Sequence, residues 1–166
     1  HVETEKMIGE LDIASTILRN SWYTENYTMG IPAMVEHSAL LGCANDGRIS
    51  SATRSDYALA AATVLTEEGH QNKVYELAGD SSYSLQEFAA IVGEHFGKEI
   101  VFNNVSESEY KAFLVEAGLP DGVADMLANS EAGAAKGGLF DDSKTLSKLI
   151  KKPTETIQEV VARLAK

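Results

Sequence analysis

Residues 51–106, SATRSDYALAAATVLTEEGHQNKVYELAGDSSYSLQEFAAIVGEHFGKEIVFNNVS, decide the fold, because they contain two helices that are each followed by a strand. Thr53 precedes Arg54-Ser55-Asp56, which is typical of an N-cap with an acid in the first helical turn. The helix is predicted to end at Gly69 and to be followed by a strand over 73–78. Its apolar residues recur at helical spacing and predict one buried face: Tyr57, Ala60, Ala61, Val64 and Leu65.

The second helix begins at a capping box, Ser84-Leu85-Gln86-Glu87, with Tyr83 and Phe88 placed as a hydrophobic staple. Gly97 is predicted as its C-cap glycine, and 99–105 as the next strand. Its predicted buried face is Leu85, Phe88, Ala89, Val92 and Phe96. Both units are regular α/β structure without an obvious catalytic group, so we expect the functional residues to lie outside them.

Composition excludes several classes of protein. The chain has 166 residues, 44% of them hydrophobic, which is enough to bury a core. Its formal net charge of −11 argues against nucleic-acid binding, because phosphate contacts need clustered Lys and Arg. No apolar run reaches the roughly 18 residues of a membrane span. The single Cys43 cannot form an internal disulfide, which favours a reducing, cytoplasmic location.

The first helical pattern, over residues 2–11, starts without a cap or lead-in, so we expect further residues before His1 in the parent protein. The β-branched and apolar run 15–19 predicts an interior strand of a parallel sheet. Such a strand needs neighbours on both sides, which we expect mainly from residues before His1.

The best candidate for a ligand site is segment 20–27, which we call the aromatic segment. It places three aromatic residues, two amides and a carboxylate directly after a predicted strand. Ligands of open α/β sheets bind outside the carboxyl ends of strands, so the pattern favours a binding cleft that Trp22 and Tyr23 line. The alternative, about equally consistent with the pattern, is that Trp22, Tyr23 and Tyr27 simply pack in the core.

The remaining chain is predicted from local signals. Runs 40–44 and 48–52 flank Asn45-Asp46-Gly47, which predicts a β-hairpin. Ser106-Glu107-Ser108-Glu109 is a second capping box. A short helix is predicted after Pro120, followed by a long irregular loop over 129–140, rich in Gly and Ala. Two more helices are predicted to start near residues 142–143 and at Pro153-Thr154.

No residue pattern supports a metal centre or a catalytic group. The four histidines, His1, His37, His70 and His95, have no metal-ligand spacing among themselves or with Cys43. No G-x-S-x-G elbow supports a nucleophilic serine. Residues 133–138 (GAAKGG) resemble a phosphate loop only superficially, because the order G-K-[ST] is missing. We therefore predict no metal and no catalytic residue.

Four motifs resemble a known family. Residues 18–27 (LRNSWYTENY), 49–57 (ISSATRSDY), 73–79 (KVYELAG) and 137–146 (GGLFDDSKTL) are similar to the NmrA-like, atypical short-chain dehydrogenases. Within that group they look like the bacterial type 2 NAD(P)H:quinone oxidoreductases and their triphenylmethane reductase relatives. The resemblance runs the length of the chain and implies an α/β fold: the C-terminal portion of a Rossmann-type NAD(P)-binding fold plus a small α/β substrate-binding subdomain.

The resemblance also implies an activity, hydride transfer from NADPH (or NADH) to a small-molecule quinone. On this sequence the implied cofactor-binding residues are Asn20, Ser21, Trp22, Tyr23, Thr24 and Glu25. The implied substrate-binding residues are Tyr23, Asn26, Arg54 and Tyr57. Residues 1–79 would be the Rossmann-like remainder with the hairpin interleaved, and 80–166 mainly the substrate side. The resemblance allows a homodimer.

One departure from the typical short-chain dehydrogenases keeps alternatives open. Their Tyr-x-x-x-Lys acid pair has no counterpart here, since the lysine position falls on His1 and the tyrosine position precedes it. Quinone reduction tolerates this, because the acceptor can take its proton from solvent. The missing pair also fits a non-catalytic NmrA-like dinucleotide sensor. It weakens a third interpretation, a relative of the sugar-nucleotide epimerases.

Overall fold

The computed structural model describes residues 1–166 as nine helices and four short strands. The strands are β1 Ile17–Asn20, β2 Ala39–Gly42, β3 Val74–Leu77 and β4 Val101–Asn104. The helices are α1 Val2–Gly9, α2 Thr24–Thr28, α3 Ile31–His37, α4 Arg54–Thr66, α5 Leu85–Phe96, α6 Glu107–Glu116, α7 Asp121–Ala134, α8 Thr145–Ile150 and α9 Ile157–Leu164. The predicted α/β class is confirmed.

The strands form two parallel pairs. β1 pairs with β3 from Ile17 opposite Val74 to Asn20 opposite Leu77. β2 pairs with β4 from Ala39 opposite Val101, across about sixty residues of sequence. The other edge of β1 has no partner in this chain, so its interior position stays a prediction.

The predicted hairpin of 40–44 and 48–52 is wrong. The turn itself exists, since the Gly47 amide donates to the Ala44 carbonyl across 2.8 Å. The strands beside it do not pair with each other, however. β2 takes β4 as its partner, and residues 49–52 make isolated bridges from Ile49 to Tyr83 and from Ala52 to Tyr23. Turn residues close a turn without choosing which strands then pair.

Local cap signals are confirmed. Thr53, Ser84 and Ser106 each accept a hydrogen bond from the backbone three residues on, and the last two form complete capping boxes. Gly97 has φ +64° and ends α5 in the left-handed conformation that favours glycine. The last helix starts later than Pro153, at a further capping box of Thr156 and Glu159.

Two helices differ from their predicted form. α4 buries a face rotated from the prediction, with Asp56 and Thr63 buried and Leu65 84% exposed. α7 continues to Ala134, so the predicted loop over 129–140 is wrong in its first half. α7 turns a face of small residues inward at helical spacing, Ala124, Ala128 and Ala134, together with Glu131. Alanine favours helix, and its small side chain lets the helix pack closely.

Two apolar clusters pack the helices against the two strand pairs. The larger surrounds α5, with Phe88, Leu85 and Val92 fully buried among residues from α3, α7 and α9. The smaller joins α4 and α8 to the β1–β3 pair through Tyr57, Leu77 and Leu146. The division at residue 79 stays a prediction, and the β2–β4 pair takes one strand from each side of it. The chain contains no helix with both the length and the apolar character needed to cross a bilayer.

Candidate functional site

A cleft opens where β1 and β3 end side by side. Asn20 and Leu77 are partners in the register, and the Ser21 amide continues the ladder to the Leu77 carbonyl at 2.9 Å. The cavity beyond these ends has a volume of about 390 Å³. It lies at the carboxyl ends of parallel strands, where open α/β sheets bind ligands. Its lining residues are Arg19, Asn20, Ser21, Trp22, Glu76, Leu77, Ala78, Gly138, Leu139, Phe140 and Asp141.

The aromatic segment is fastened to residue 52 by backbone hydrogen bonds. The Ala52 amide donates to the Trp22 carbonyl at 3.2 Å, and the Thr24 amide donates to the Ala52 carbonyl at 3.0 Å. Both Trp22 and Tyr23 are partly exposed, and Tyr23 packs against the smaller apolar cluster. Trp22 lines the cavity described above and Tyr23 lines a neighbouring one, and a common ligand cleft for the two residues stays a prediction.

The neighbouring cavity has a volume of about 700 Å³ and lies between α1 and β1. Asn20 and Arg19 line both cavities. The Arg19 guanidinium bridges Glu5 and Glu76 at 2.5 Å each, and the hydrogen bond from Arg19 lowers the pKa of Glu5. Arg19 is therefore the cation at the junction of the two cavities.

Several side chains of the aromatic segment have unused hydrogen-bonding groups. The buried indole Nε1 of Trp22 has no partner. No hydrogen bond within the chain engages the side chains of Asn20, Ser21 and Asn26. Asn20 and Ser21 line the cleft, so their polar groups are accessible from it. A cleft with free amide and hydroxyl groups beside an aromatic ring fits a polar ligand with a planar ring.

The side chains of Thr24 and Glu25 are both engaged by other residues of the protein, Thr24 in the interior and Glu25 near the surface. Thr24 is 1% exposed, and its hydroxyl lies 2.8 Å from the hydroxyl of Ser51. Both carboxylate oxygens of Glu25 accept from the backbone amide of Arg54, at 3.0 and 3.1 Å, at the N-terminus of α4. A carboxylate there stabilises the helix. Their cofactor-binding role stays a prediction, and the contacts seen are structural.

The predicted substrate-side residues are only partly brought together. The Arg54 guanidinium lies 5.4 Å from the centre of the Tyr23 ring, in cation–π contact. Tyr57 lies beneath that ring at 5.3 Å and is only 3% exposed, with its hydroxyl 3.4 Å from the Trp22 and Leu77 carbonyls. Burial raises the pKa of Tyr57. The structure therefore places Tyr57 under the site instead of on the cleft surface, as a correction to the prediction.

Residues 138–141 form a wall of the cleft that the site prediction lacked. Phe140 is partly exposed there, and the Leu139 carbonyl accepts from the Ser50 amide at 2.8 Å. The sequence did contain a signal, since motif 137–146 carried the family resemblance. Its irregular, glycine-rich start gave no periodicity from which to assign a wall. No group of three or more His, Cys, Asp or Glu side chains comes together in a way that could hold a metal ion.

Comparison with known proteins finds clear relatives of this chain. No family model matches the chain. It is 56% identical to quinone oxidoreductase 2 of Escherichia coli over 164 residues, 99% of this chain and 57% of that protein. An NmrA-like family domain-containing oxidoreductase of Aspergillus flavus is 26% identical over 110 residues, covering 66% of this chain and 36% of that protein.

Solved structures give the same picture. The crystal structure of the E. coli NADPH-dependent quinone oxidoreductase complexed with NADPH matches with a TM-score of 0.98 and 55% identity, over 100% of this chain and 59% of that one. The Citrobacter triphenylmethane reductase complexed with NADP(H) matches with a TM-score of 0.92 and 39% identity, over 100% and 58%. The chain thus spans less than two thirds of these relatives, and the resemblance predicted from the sequence is confirmed.

Proposed function

We propose, from the premise that this chain is a homologue of E. coli quinone oxidoreductase 2, that it is part of an NAD(P)H-dependent oxidoreductase that transfers hydride from NADPH to a quinone. One observation carries the proposal. Over its whole length the chain superimposes with a TM-score of 0.98, at 55% identity, on a quinone oxidoreductase solved with NADPH. The cleft at the ends of β1 and β3 supplies the matching geometry.

The cofactor would bind along the first part of the aromatic segment, Asn20 to Tyr23. NADPH supplies the hydride when bound, and the free amide and hydroxyl of Asn20 and Ser21 are suited to hydrogen-bond its polar groups. Trp22 offers a flat aromatic wall beside them. Thr24 and Glu25 support this segment through Ser51 and the N-terminus of α4. The protein then contributes orientation of the reacting groups.

The quinone would bind against Tyr23, Asn26 and Arg54, with Phe140 on the cleft side. The Arg54 guanidinium lies over Tyr23, where it can face the electron-rich oxygen of a reduced acceptor. Tyr57 supports Tyr23 from below. No side chain here is placed as a general acid, and we propose that the acceptor takes its proton from solvent.

Location and assembly are also proposals. We propose a cytoplasmic protein without a nucleic-acid partner. The net charge of −11 and a lone, buried, unpaired Cys43 support this. A homodimer and the boundary at residue 79 are retained as proposals from the family resemblance.

The test is quinone-dependent oxidation of NADPH by the gene product that contains this chain. Wild-type protein should consume NADPH when a quinone is added, and Asn20→Ala and Trp22→Leu should lower kcat/KM while the protein stays folded. Ser55→Ala, an exposed residue on α4, serves as the matched control. NADPH binding without turnover would contradict the proposal and favour the non-catalytic dinucleotide sensor.

A further inference from the structure

Two adjacent serines, Ser50 and Ser51, are buried behind the walls of the cleft and do not line its surface. Ser50 is fully buried and Ser51 is 6% exposed, and neither contributes to the cavity surface. Their strand-like segment, 49–52, is held on one edge by Tyr83 and on the other by the aromatic segment. We call residues 20–22 the segment wall and residues 138–141 the loop wall of the cleft.

Ser50 fixes the loop wall through three hydrogen bonds. Its amide donates to the Leu139 carbonyl at 2.8 Å. Its hydroxyl donates to the Asp141 carbonyl at 2.8 Å and accepts from the Asp141 amide at 3.1 Å. Phe140 lies between these two anchored residues, so the position of its ring in the cleft depends on Ser50.

Ser51 contacts the aromatic segment at its middle, at Thr24, through a buried chain of hydroxyls. The Ser51 hydroxyl lies 2.8 Å from that of Thr24 and 2.8 Å from that of Tyr83. All three residues are buried, so the bonds are shielded from water and strengthen one another. Thr24 directly follows Tyr23, so Ser51 adds a side-chain anchor to the backbone hydrogen bonds of Ala52 that place the rings of Trp22 and Tyr23.

The serine backbone cannot move away from the strand ends. The Gly79 amide, just beyond β3, donates to the Ser50 carbonyl at 3.0 Å. A Cβ on Gly79 would lie 2.1 Å from the Ser51 carbonyl oxygen, so only glycine allows this approach. The hydrogen bonds of both walls therefore lead to the same short backbone segment, Ser50-Ser51, which is held against the end of β3.

We propose that Ser50 and Ser51 are positioning residues that fix the two walls relative to each other and thereby select planar, multi-ring quinones as acceptors. The inference rests on the proposed function, in which the nicotinamide lies beside Trp22 and the quinone has Phe140 on its cleft side, so that the two walls enclose the reacting rings. A planar ring system stacks on aromatic walls only when their spacing is held. A one-ring quinone contacts less of the walls and depends less on that spacing.

The first test uses Trp22, the only tryptophan in the chain, as a reporter of the cleft. Acrylamide quenching of its fluorescence should increase in Ser50→Ala and Ser51→Ala, because each variant removes the side-chain anchor of one wall and leaves only backbone hydrogen bonds to hold it. Ser106→Ala, which loses a cap hydrogen bond remote from both walls, should leave quenching at the wild-type level. Unchanged quenching in both serine variants would overturn the inference without any reference to enzyme activity.

The second test is kinetic and compares phenanthrenequinone with benzoquinone in the gene product that contains this chain. In Ser50→Ala the KM for the three-ring quinone should rise at least about fivefold, because the hydroxyl loses both hydrogen bonds to Asp141 and one net hydrogen bond corresponds to about that factor. The KM for the one-ring quinone and both kcat values should change little. An equal rise for both quinones, or the same rise in Ser106→Ala, would mean that the serines act only through general stability.

Together, the fluorescence test and the kinetic test distinguish a failure of this inference from a failure of the proposed function. If wild-type protein reduces no quinone, the proposed function fails, while the quenching arm still decides whether the serines hold the walls. If wild-type protein reduces quinones and neither serine variant alters quenching or the ratio of KM values, only this inference fails. Should Ser51→Ala not fold, Tyr83→Phe keeps the ring packed against Phe88 and removes only its hydrogen bond to Ser51.

Discussion

The carboxylate of Glu131 accepts a hydrogen bond of 2.8 Å from the backbone amide of Cys43. This contact joins α7 to the end of β2, and both residues are buried. The side chains that face Glu131 are uncharged: the thiol of Cys43, the phenol of Tyr110 from α6, and that of Tyr27 from α2. Burial without a cationic partner raises the pKa of Glu131 above its ordinary value, against the smaller opposing effect of the hydrogen bonds.

This raised pKa predicts a pH-dependent stability. A carboxyl whose pKa is higher in the folded state binds its proton more tightly there. Its contribution is complete below the unfolded-state pKa and is lost as the pH rises through the folded-state pKa. Glu131→Gln keeps an acceptor for the Cys43 amide and cannot ionise. We expect its unfolding free energy, relative to wild type, to increase between pH 5 and pH 8 in urea titrations.

Glu109 provides a control, because its pKa is shifted in the opposite direction to that of Glu131. Hydrogen bonds from the hydroxyl and amide of Ser106 lower the pKa of its exposed carboxyl. Its contribution is therefore present above the unfolded-state pKa and is lost as the pH falls through the folded-state pKa. Glu109→Gln should lose stability relative to wild type at neutral pH and approach it in acid. A Glu131→Gln variant that follows the same trend would contradict our interpretation of Glu131.

Cys43 should be chemically inert in the folded protein. Burial, reinforced by the nearby Glu131, raises the pKa of its thiol to about 12, and its side chain is shielded from solvent. Because the thiolate is the reactive form, labelling by Ellman's reagent at pH 8 should be at least about a thousandfold slower than for a free thiol. Labelling in urea should be fast. Rapid labelling under native conditions would show that α7 opens readily from β2.

The capping boxes predict three similar losses of stability. Ser84→Ala, Ser106→Ala and Thr156→Ala each remove a side-chain oxygen that accepts from the third helical amide. We expect each to lower the unfolding free energy by about 1 kcal/mol, measured by urea denaturation. Ser55→Ala, in the first turn of α4 and exposed, should change it by less than about 0.5 kcal/mol. Equal effects at all four positions would contradict the assignment to the caps.

These caps show which features a sequence reveals. Ser84 and Glu87 are three residues apart, so their hydrogen bonds follow from local geometry, and the prediction was confirmed. The partner of β2 is β4, about sixty residues later, and no local pattern indicates that pairing. The Asn45–Gly47 turn was therefore interpreted as a hairpin. Long-range pairing also explains why 138–141 was missed as a wall, since it depends on the contact with Ser50.

A similar limit applies to helices with small residues. The inward face of α7 consists mainly of Ala124, Ala128 and Ala134, which carry too little apolar character to give a clear period. Tyr57 shows the reverse case for the site. The family resemblance implies a ligand contact for Tyr57, but the helical face on which this residue lies turns into the core. A sequence locates such a residue near the site without fixing the direction of its side chain.

Tyr23→Ala should separate ligand binding from packing. The ring contacts Tyr57 and Arg54 but remains partly exposed at the edge of a cavity. In the gene product that contains this chain, we expect a higher quinone KM or a lower kcat, with the protein still folded by circular dichroism. Tyr23→Phe, which keeps the ring, should behave nearly as wild type. Unchanged kinetics with a large loss of stability would instead mean that the ring serves only to pack the core.

The last prediction concerns how much of the cofactor's affinity these 166 residues supply. In the proposed function, Asn20 to Tyr23 contact the nicotinamide end of NADPH and orient its ring. The diphosphate needs a different feature, a helix N-terminus behind a glycine turn that follows a strand. Among the helices that come next after a strand, α4, α5 and α6 begin with side-chain caps at Thr53, Ser84 and Ser106 that already occupy amides in their first turns. α2, which comes after β1, has only five residues and no glycine turn before it.

Calorimetric titration of residues 1–166 with NADPH should accordingly show no binding in the micromolar range. The gene product that contains this chain, titrated under the same conditions, is the reference that shows NADPH binding when the diphosphate site is present. Nicotinamide mononucleotide, which lacks the diphosphate bridge, should bind the chain as poorly as NADPH does. Micromolar binding of NADPH by residues 1–166 would place the diphosphate site within them, and the assignment of Asn20 to Tyr23 to the nicotinamide end would then be wrong.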